Sequence, residues 1–389
     1  MRKIFITALF IIPATIHADR IDSLLQVIQS NNLELKALSC ENQSRQYEMQ
    51  SENKIGGPTV EYSPFYTRGV HGIASSELIV SQEFEFPTRY SQRRQQIKLQ
   101  TEADDSQWEV TRRQILLEAR LICYDIVRQD QLIELLNERL KQGENTTILI
   151  QKRLQVGDGT ALELNKARLE QMQTAQQLTE ARNERLRLAK QLQILNGGKE
   201  IEAGHLSYPT PLQNHEINLG ELTPYTTENL PEIAQAEKTL RASQNNERLT
   251  KQEWLPNISV GYRRNTEENV KLNGFMIGAS FPLFSNASKQ KAVRKQIEAD
   301  KLRLDKTIQE AETMQKTRYE ELELMHSVLD HSDTSLLHET LTLLDKALQH
   351  GQISALEYYI ECNDIYEKLT NHINMHAEFV KLYTELYLR

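Results

Sequence analysis

Cysteine is scarce: three in 389 residues, at Cys40, Cys123 and Cys362. Spaced so far apart, they supply neither a disulfide framework nor a CxxC-type zinc site. Fifteen glycines and ten prolines are too few for a collagen-like or Pro/Gly-rich disordered chain. Positive charge is in deficit, with a formal net charge of −8. That balance does not suit reading a phosphate backbone, so no nucleic-acid partner is expected. Beyond the N-terminus no apolar run reaches the ~20 residues that a membrane-spanning helix needs. HExxH and GxSxG are absent. Asn196-Gly197-Gly198-Lys199 lacks the spacing of a phosphate loop. Gly157-Asp158-Gly159 has no third glycine and no preceding strand, so it is no dinucleotide fingerprint. No catalytic residue, cofactor or resident metal is expected, and the chain is read as a non-enzyme.

What is present begins with an export signal. Arg2 and Lys3 precede an apolar run over 4–12, then Pro13, and Ala18 closes a cleavage site. Residues 1–18 are therefore expected to be a signal peptide. Cys40 lies too far beyond that run to be an acylation site.

Next comes an internal repeat. A helical stretch opens at Asn32-Leu33-Glu34-Leu35 and again at Leu230-Pro231-Glu232-Ile233, 198 residues on. Phe86-Pro87 ends an alternating segment, as does Phe281-Pro282 at an offset of 195. The break at Gly157 recurs at Gly351, offset 194. The predicted organisation is a first repeat over 19–196, a connecting equatorial segment over 197–228 and a second repeat over 229–389. Each repeat reads as short helix, two strands, very long helix, break and returning helix. The long helices are expected over 90–152 and 287–350, each ~95 Å at 1.5 Å per residue. The returning helices are expected over 161–195 and 355–387.

Helices of that length need partners along their whole extent. Ile115, Ala119, Ile122, Ile126, Gln129 and Ile133 alternate spacings of four and three. So do Ala355, Tyr359, Cys362, Tyr366, Leu369, Ile373, His376 and Val380. This is coiled-coil spacing, in which a polar Gln129 or His376 sets register at some cost in stability. His372 and His376 are four apart and could chelate a metal. The seam position of His376 favours packing, and two ligands do not complete a site.

Four segments break the helical period, near 58–66, 73–86, 256–264 and 273–284. In the second, Ala74, Leu78, Val80, Phe84 and Phe86 alternate. In the third, Ile258, Val260 and Tyr262 alternate with polar residues, and in the fourth Phe275, Ile277, Ala279 and Phe281 do so. This is the pattern of an outer-membrane barrel strand. Four strands cannot close a channel, and open edges cannot sit in lipid. Three chains would pool twelve strands. Proline at Pro87 and Pro282 ends a ladder and suits a helix start, so Phe86-Pro87 and Phe281-Pro282 mark the strand–helix junctions.

These residues resemble the TolC family of outer-membrane efflux channels. The resemblance rests on Leu255-Pro256-Asn257-Ile258-Ser259 before the third strand and Ser280-Phe281-Pro282-Leu283-Phe284 after the fourth. It rests also on Val156-Gly157 and His350-Gly351-Gln352-Ile353-Ser354-Ala355-Leu356 at the two breaks. Ser81-Gln82-Glu83-Phe84-Glu85-Phe86-Pro87 resembles the heavy-metal branch, of the cation/copper type. The resemblance implies a mainly α fold with membrane β: a long coiled-coil α-helical barrel plus a trimeric 12-stranded β-barrel, four strands per chain. It implies a homotrimer in the outer membrane of a Gram-negative bacterium, contacting its lipid and reaching into the periplasm. A periplasmic adaptor (membrane fusion protein) and an inner-membrane pump of RND type would dock below. The chain would then be the passive outer-membrane channel of a tripartite efflux pump. The rival reading is a secreted soluble coiled-coil scaffold.

Two sets of site residues follow. The tips, Val156, Gly157, Asp158, Gly159 and Thr160 with Gly351, Gln352, Ile353 and Ser354, are expected to meet the adaptor. Glu163, Glu357 and Glu361 lie just past them. In a trimer each would form a ring of three that favours cations at the entrance; a plain solvated helix face is the alternative. The aromatic and arginine that latch the entrance in well-known members correspond here to Leu348 and Ile353.

Overall fold

The computed structural model describes residues 20–69, 71–201, 204–209, 212, 230–267, 270–282 and 287–387. The expected signal peptide and most of the connecting segment lie outside them. The first half of the chain contains α1 (Arg20–Asn31), α2 (Leu33–Glu52), β1 (Thr59–Phe65), β2 (Ser75–Phe84), α3 (Pro87–Gln155) and α4 (Ala161–Leu195). The second contains α5 (Pro231–Lys251), β3 (Asn257–Glu267), β4 (Val270–Ser280), α6 (Ala287–Asp330), α7 (Thr334–Gln349) and α8 (Ala355–Tyr387). From α2 and α5 onward, and apart from one break, the described elements of the two halves follow the same order.

That break corrects the sequence reading of one helix over 287–350. The chain leaves the helix after Asp330 and re-enters it at Thr334. Asp333 caps α7: its carboxylate accepts the Leu336 N–H at 3.0 Å and the Ser335 hydroxyl at 2.6 Å. The signal was legible in Asp330-His331-Ser332-Asp333-Thr334-Ser335, a run of residues that prefer caps over helix interiors. The first half has no such run at this place, and α3 continues unbroken for 69 residues.

The chain divides into two compact units, each drawn from both halves. One comprises 34–114 and 224–318. Its sheet has the order β1-β2-β3-β4, antiparallel throughout. β1 and β4 are its edges. The strands differ from expectation at their ends. β3 runs on to Glu267 and β4 begins at Val270, because Asn265–Leu272 and Thr266–Lys271 continue the ladder. β4 stops at Ser280, two residues short of Pro282, as a residue without a backbone N–H requires.

The register sorts the side chains. One face, called the apolar face below, carries the row Val60, Val80, Tyr262 and Phe275, one residue from each strand. Below it lie Gln82, Val260 and Ile277, then Phe84, Ile258 and Ala279. Phe275 is 93% exposed and Ile277 82%. The opposite face carries Glu61, Glu77, Glu83 and Glu267, with Arg263 ion-paired to Glu77. Ile79, Met276 and Leu272 share that face, so its polarity comes from its charges.

Helices of this unit repeat one packing device. Asp104 accepts from Gln100 at 3.0 Å and from Arg45 at 2.7 Å. Asp300, its counterpart 196 residues on, accepts from Gln296 at 2.9 Å and Ser243 at 2.5 Å. Both aspartates are buried, and each is satisfied by a glutamine one turn before it and by the preceding short helix. Trp108 donates from Nε1 to the Leu35 carbonyl at 3.1 Å, tying α2 to α3.

The other unit comprises 1–33, 115–223 and 319–389. Its core is the seam read from the sequence. Along α8, Ala355, Tyr359, Cys362, Tyr366, Leu369, His376 and Val380 are buried. A second buried line, Tyr358, Ile365, Phe379 and Leu386, runs beside it at multiples of seven residues, which makes the apolar stripe wider than a strict seam. Each fully buried aliphatic side chain contributes ~1.5–3 kcal/mol.

Candidate functional site: the paired helical tips

The second unit holds both helical turns, and they are built alike. At the first, the Gly157 N–H donates to the Leu154 carbonyl at 3.2 Å and the Asp158 N–H to the Arg153 carbonyl at 2.9 Å. At the second, the Gly351 N–H reaches the Leu348 carbonyl at 3.1 Å and the Gln352 N–H the Ala347 carbonyl at 2.8 Å. This pair of bonds closes a helix when the residue after it is left-handed. Gly157 and Gly351 have φ of +83° and +69°, where a Cβ is disfavoured. A Cβ at either glycine would meet nothing within 4 Å, so the requirement is conformational rather than steric.

Each turn then restarts a helix with a capping box. The Glu163 N–H donates to Thr160 Oγ1 at 3.2 Å, and the Thr160 N–H donates to Glu163 Oε2 at 2.8 Å. Likewise the Glu357 N–H donates to Ser354 Oγ at 3.2 Å, and the Ser354 N–H to Glu357 Oε2 at 2.9 Å. Donation from Ser354 holds the Glu357 carboxyl below the usual glutamate range. The two sequences, Gly157-Asp158-Gly159-Thr160-Ala161-Leu162-Glu163 and Gly351-Gln352-Ile353-Ser354-Ala355-Leu356-Glu357, share Gly, Thr/Ser, Ala, Leu and Glu in register. Two of the three candidate ring carboxylates are thus engaged in holding the tips. Glu361 is exposed one turn further along α8. Exposed apolar side chains cluster at the same end: Val156 (80%), Leu162 (79%), Leu356 (57%) and Ile360 (58%).

Behind the tips runs a polar network that the sequence did not disclose. Tyr358 on α8 donates its hydroxyl to Asp345 on α7 at 2.7 Å. Gln142 on α3 donates to both Asp345 oxygens at 2.7 Å and accepts the Tyr366 hydroxyl. Arg139 on α3 donates to Asn363 on α8 at 2.6 Å, stands 4.9 Å from the centre of the Tyr366 ring, and lies 3.6 Å from Glu170 on α4. Lys166 also reaches the buried Glu170, at 2.6 Å. The network ties α3, α4, α7 and α8 together. Burial pushes the Tyr358 and Tyr366 hydroxyls upward and the Cys362 thiol up to about 12, leaving all three protonated at neutral pH. Leu348 and Ile353, which the resemblance set at latch positions, belong to the apolar cluster with Tyr358 and Leu341.

The histidines are placed as packing groups. His376 is buried, shares a hydrogen bond of 2.8 Å with the Leu212 carbonyl and packs its ring 5.0 Å from that of Tyr208. His372 Nδ1 lies 2.9 Å from the Ser332 hydroxyl. Among the described residues no three His, Cys, Asp or Glu side chains form a metal-holding group. No described helix is long and apolar enough to cross a membrane.

Comparison with solved structures gives the fold its class. The chain is similar to CusC, whose structures follow folding and transmembrane channel formation, with a TM-score of 0.69 at 17% identity over 94% of this chain and 91% of that one. It is similar to the CmeC outer membrane channel of Campylobacter jejuni (TM-score 0.72, 14% identity, 94% and 84% covered). The open state of the MtrE outer membrane channel of Neisseria gonorrhoeae matches as well (0.70, 14%, 95% and 88%). No family model matches the sequence, and no curated protein matches it. The fold is that of the TolC-family outer-membrane channels.

Proposed function

We propose that the chain is one subunit of a trimeric efflux duct in the outer membrane of a Gram-negative bacterium. It passively conducts substrate delivered by an inner-membrane transporter of RND type through a periplasmic adaptor. The observation that carries this reading is the sheet. A four-stranded meander presents an apolar face with rows of exposed Val, Ile, Tyr and Phe, carries its carboxylates on the other face, and has two open edges. Lipid tolerates the first face and forbids the edges. Pairing β4 of one copy with β1 of the next satisfies both conditions, and three copies close twelve strands. The likeness to outer-membrane channels over more than nine-tenths of the chain supports the same reading.

The tips are the docking points for the adaptor. A rigid, doubly capped turn that holds Val156, Leu162, Leu356 and Ile360 in solvent suits a partner with an apolar surface of its own. Glu361 supplies the acidic ring at the entrance, supported by whatever charge Glu163 and Glu357 present beyond their caps. The network around Asp345 and Gln142 fixes the two helix pairs on each other, so opening the entrance has to break it. Copper and zinc are the first cargoes to test, given the resemblance of 81–87 to the heavy-metal branch.

The test pairs localisation with transport. The protein should sediment with outer membranes, and its deletion should sensitise cells to at least one metal or detergent. Site-specific cross-linkers placed at Val156 and Leu356 should capture the adaptor. Recovery in the soluble periplasmic fraction would instead support the secreted scaffold.

A further inference from the structure

The top of the apolar face differs from the rest of it. Above the row of Val60, Val80, Tyr262 and Phe275 comes Tyr62, Leu78, Arg264 and Asn273. Above that lies Pro64, Ser76, Thr266 and Lys271. These are the last two rows before the hairpin ends. Arg264 and Lys271 sit on paired strands one diagonal apart, a separation that long side chains bridge. No carboxylate stands on this face among the described strand residues, since Glu61, Glu77, Glu83 and Glu267 all occupy the other. The nearest cation of the opposite face, Arg263, is paired with Glu77. Asn273 Oδ1 accepts the Tyr262 hydroxyl at 2.8 Å, which orients the Asn273 amide beside Arg264.

We infer that Arg264 and Lys271 form a binding site for the phosphate groups of an anionic glycolipid in the outer leaflet. The inference rests on the membrane reading proposed above. From the Ile258 row to the Thr266 row the face is about 27 Å long along the strand, or roughly 20 Å tall at barrel tilt. An apolar band of about 25 Å therefore ends at or above these rows. Cations placed there extend their heads to the boundary. With no carboxylate on the same face among the described strand residues, the phosphates of the leaflet are the counter-charge we assign to them. A guanidinium binds phosphate oxygens in a fork and an ammonium adds a point charge. Three copies would carry three such pairs around the rim.

Native mass spectrometry of the detergent-extracted protein tests this, using a bisphosphorylated, multiply acylated glycolipid and its dephosphorylated form as probes. The wild type should retain the phosphorylated form preferentially. R264Q/K271Q should retain it about tenfold less or weaker still, with binding of the dephosphorylated form unchanged. Equal retention by wild type and double variant would overturn the inference, as would equal retention of the two glycolipids by the wild type. Displacement by excess inorganic phosphate would make the pair a free-anion site and overturn the lipid assignment. Should the double variant not assemble, K271Q alone, at an exposed position, provides the same comparison. Trimer assembly and bilayer conductance of the wild type are measured in parallel. Their absence sinks the channel reading itself, whereas their presence with indifferent lipid binding sinks only this inference.

Discussion

At the scale of single residues, the tips turn on two backbone conformations. Gly157 and Gly351 have positive φ with open space around them. G157V and G351V should each cost about 1–2 kcal/mol through left-handed strain alone. G157N and G351N should cost much less, because asparagine visits that region. Efflux assays and thermal unfolding of the four variants check this: the valine variants should lose transport while the subunits still assemble, and the asparagine variants should keep most of it. The Glu357 carboxyl has a second consequence. Its pKa is lowered in the folded chain by donation from Ser354, so the cap stabilises above the ordinary glutamate pKa. That stability is lost as pH falls through the depressed value. Unfolding followed across acid pH should show a shallower slope in E357Q than in the wild type. An identical slope in E357Q would contradict the capping role. Both glycines were legible in the sequence. The capping glutamates were seen too, but read for their charge, because a glutamate three residues after Thr or Ser serves a cap and an acidic rim equally well.

Among elements, the informative comparison is between the two long helices. α3 runs unbroken, whereas its counterpart stops at Asp330 and restarts at Thr334. The sequence reading gave each repeat one very long helix, and that common pattern joined α6 to α7. The capping residues carried the contrary message. Asp333 is held below the usual aspartate range by the Ser335 hydroxyl and the Leu336 N–H. By the same sign argument, D333N should keep the helix start, since asparagine also caps, and should remove its acid sensitivity. Circular dichroism melts at neutral and acid pH give the comparison. The network of Gln142, Asp345, Tyr358 and Tyr366 was invisible for another reason. Its members are distant in sequence and meet only after α3, α7 and α8 pack. Q142A strips a donor from Asp345 and an acceptor from Tyr366, and should destabilise the chain by about 1–3 kcal/mol. Because opening the entrance has to break that network, Q142A should raise conductance as well; stability lost without a conductance change would confine it to packing.

For the whole molecule, the strands decide. Phe86-Pro87 and Phe281-Pro282 announced where the sheet ends, and alternation over 256–264 announced its faces. Cross-strand register was not legible, and it is register that gathers Val60, Val80, Tyr262 and Phe275 into one row and segregates the carboxylates. The edges β1 and β4 then leave the single chain incomplete, so the account depends on how many copies share a sheet. The most direct measurement is the subunit number of the detergent-extracted protein, by native mass spectrometry and by an unheated gel beside a boiled one. The account predicts a particle of three chains that collapses to one on boiling. A single chain that stays dispersed in water without detergent would contradict it.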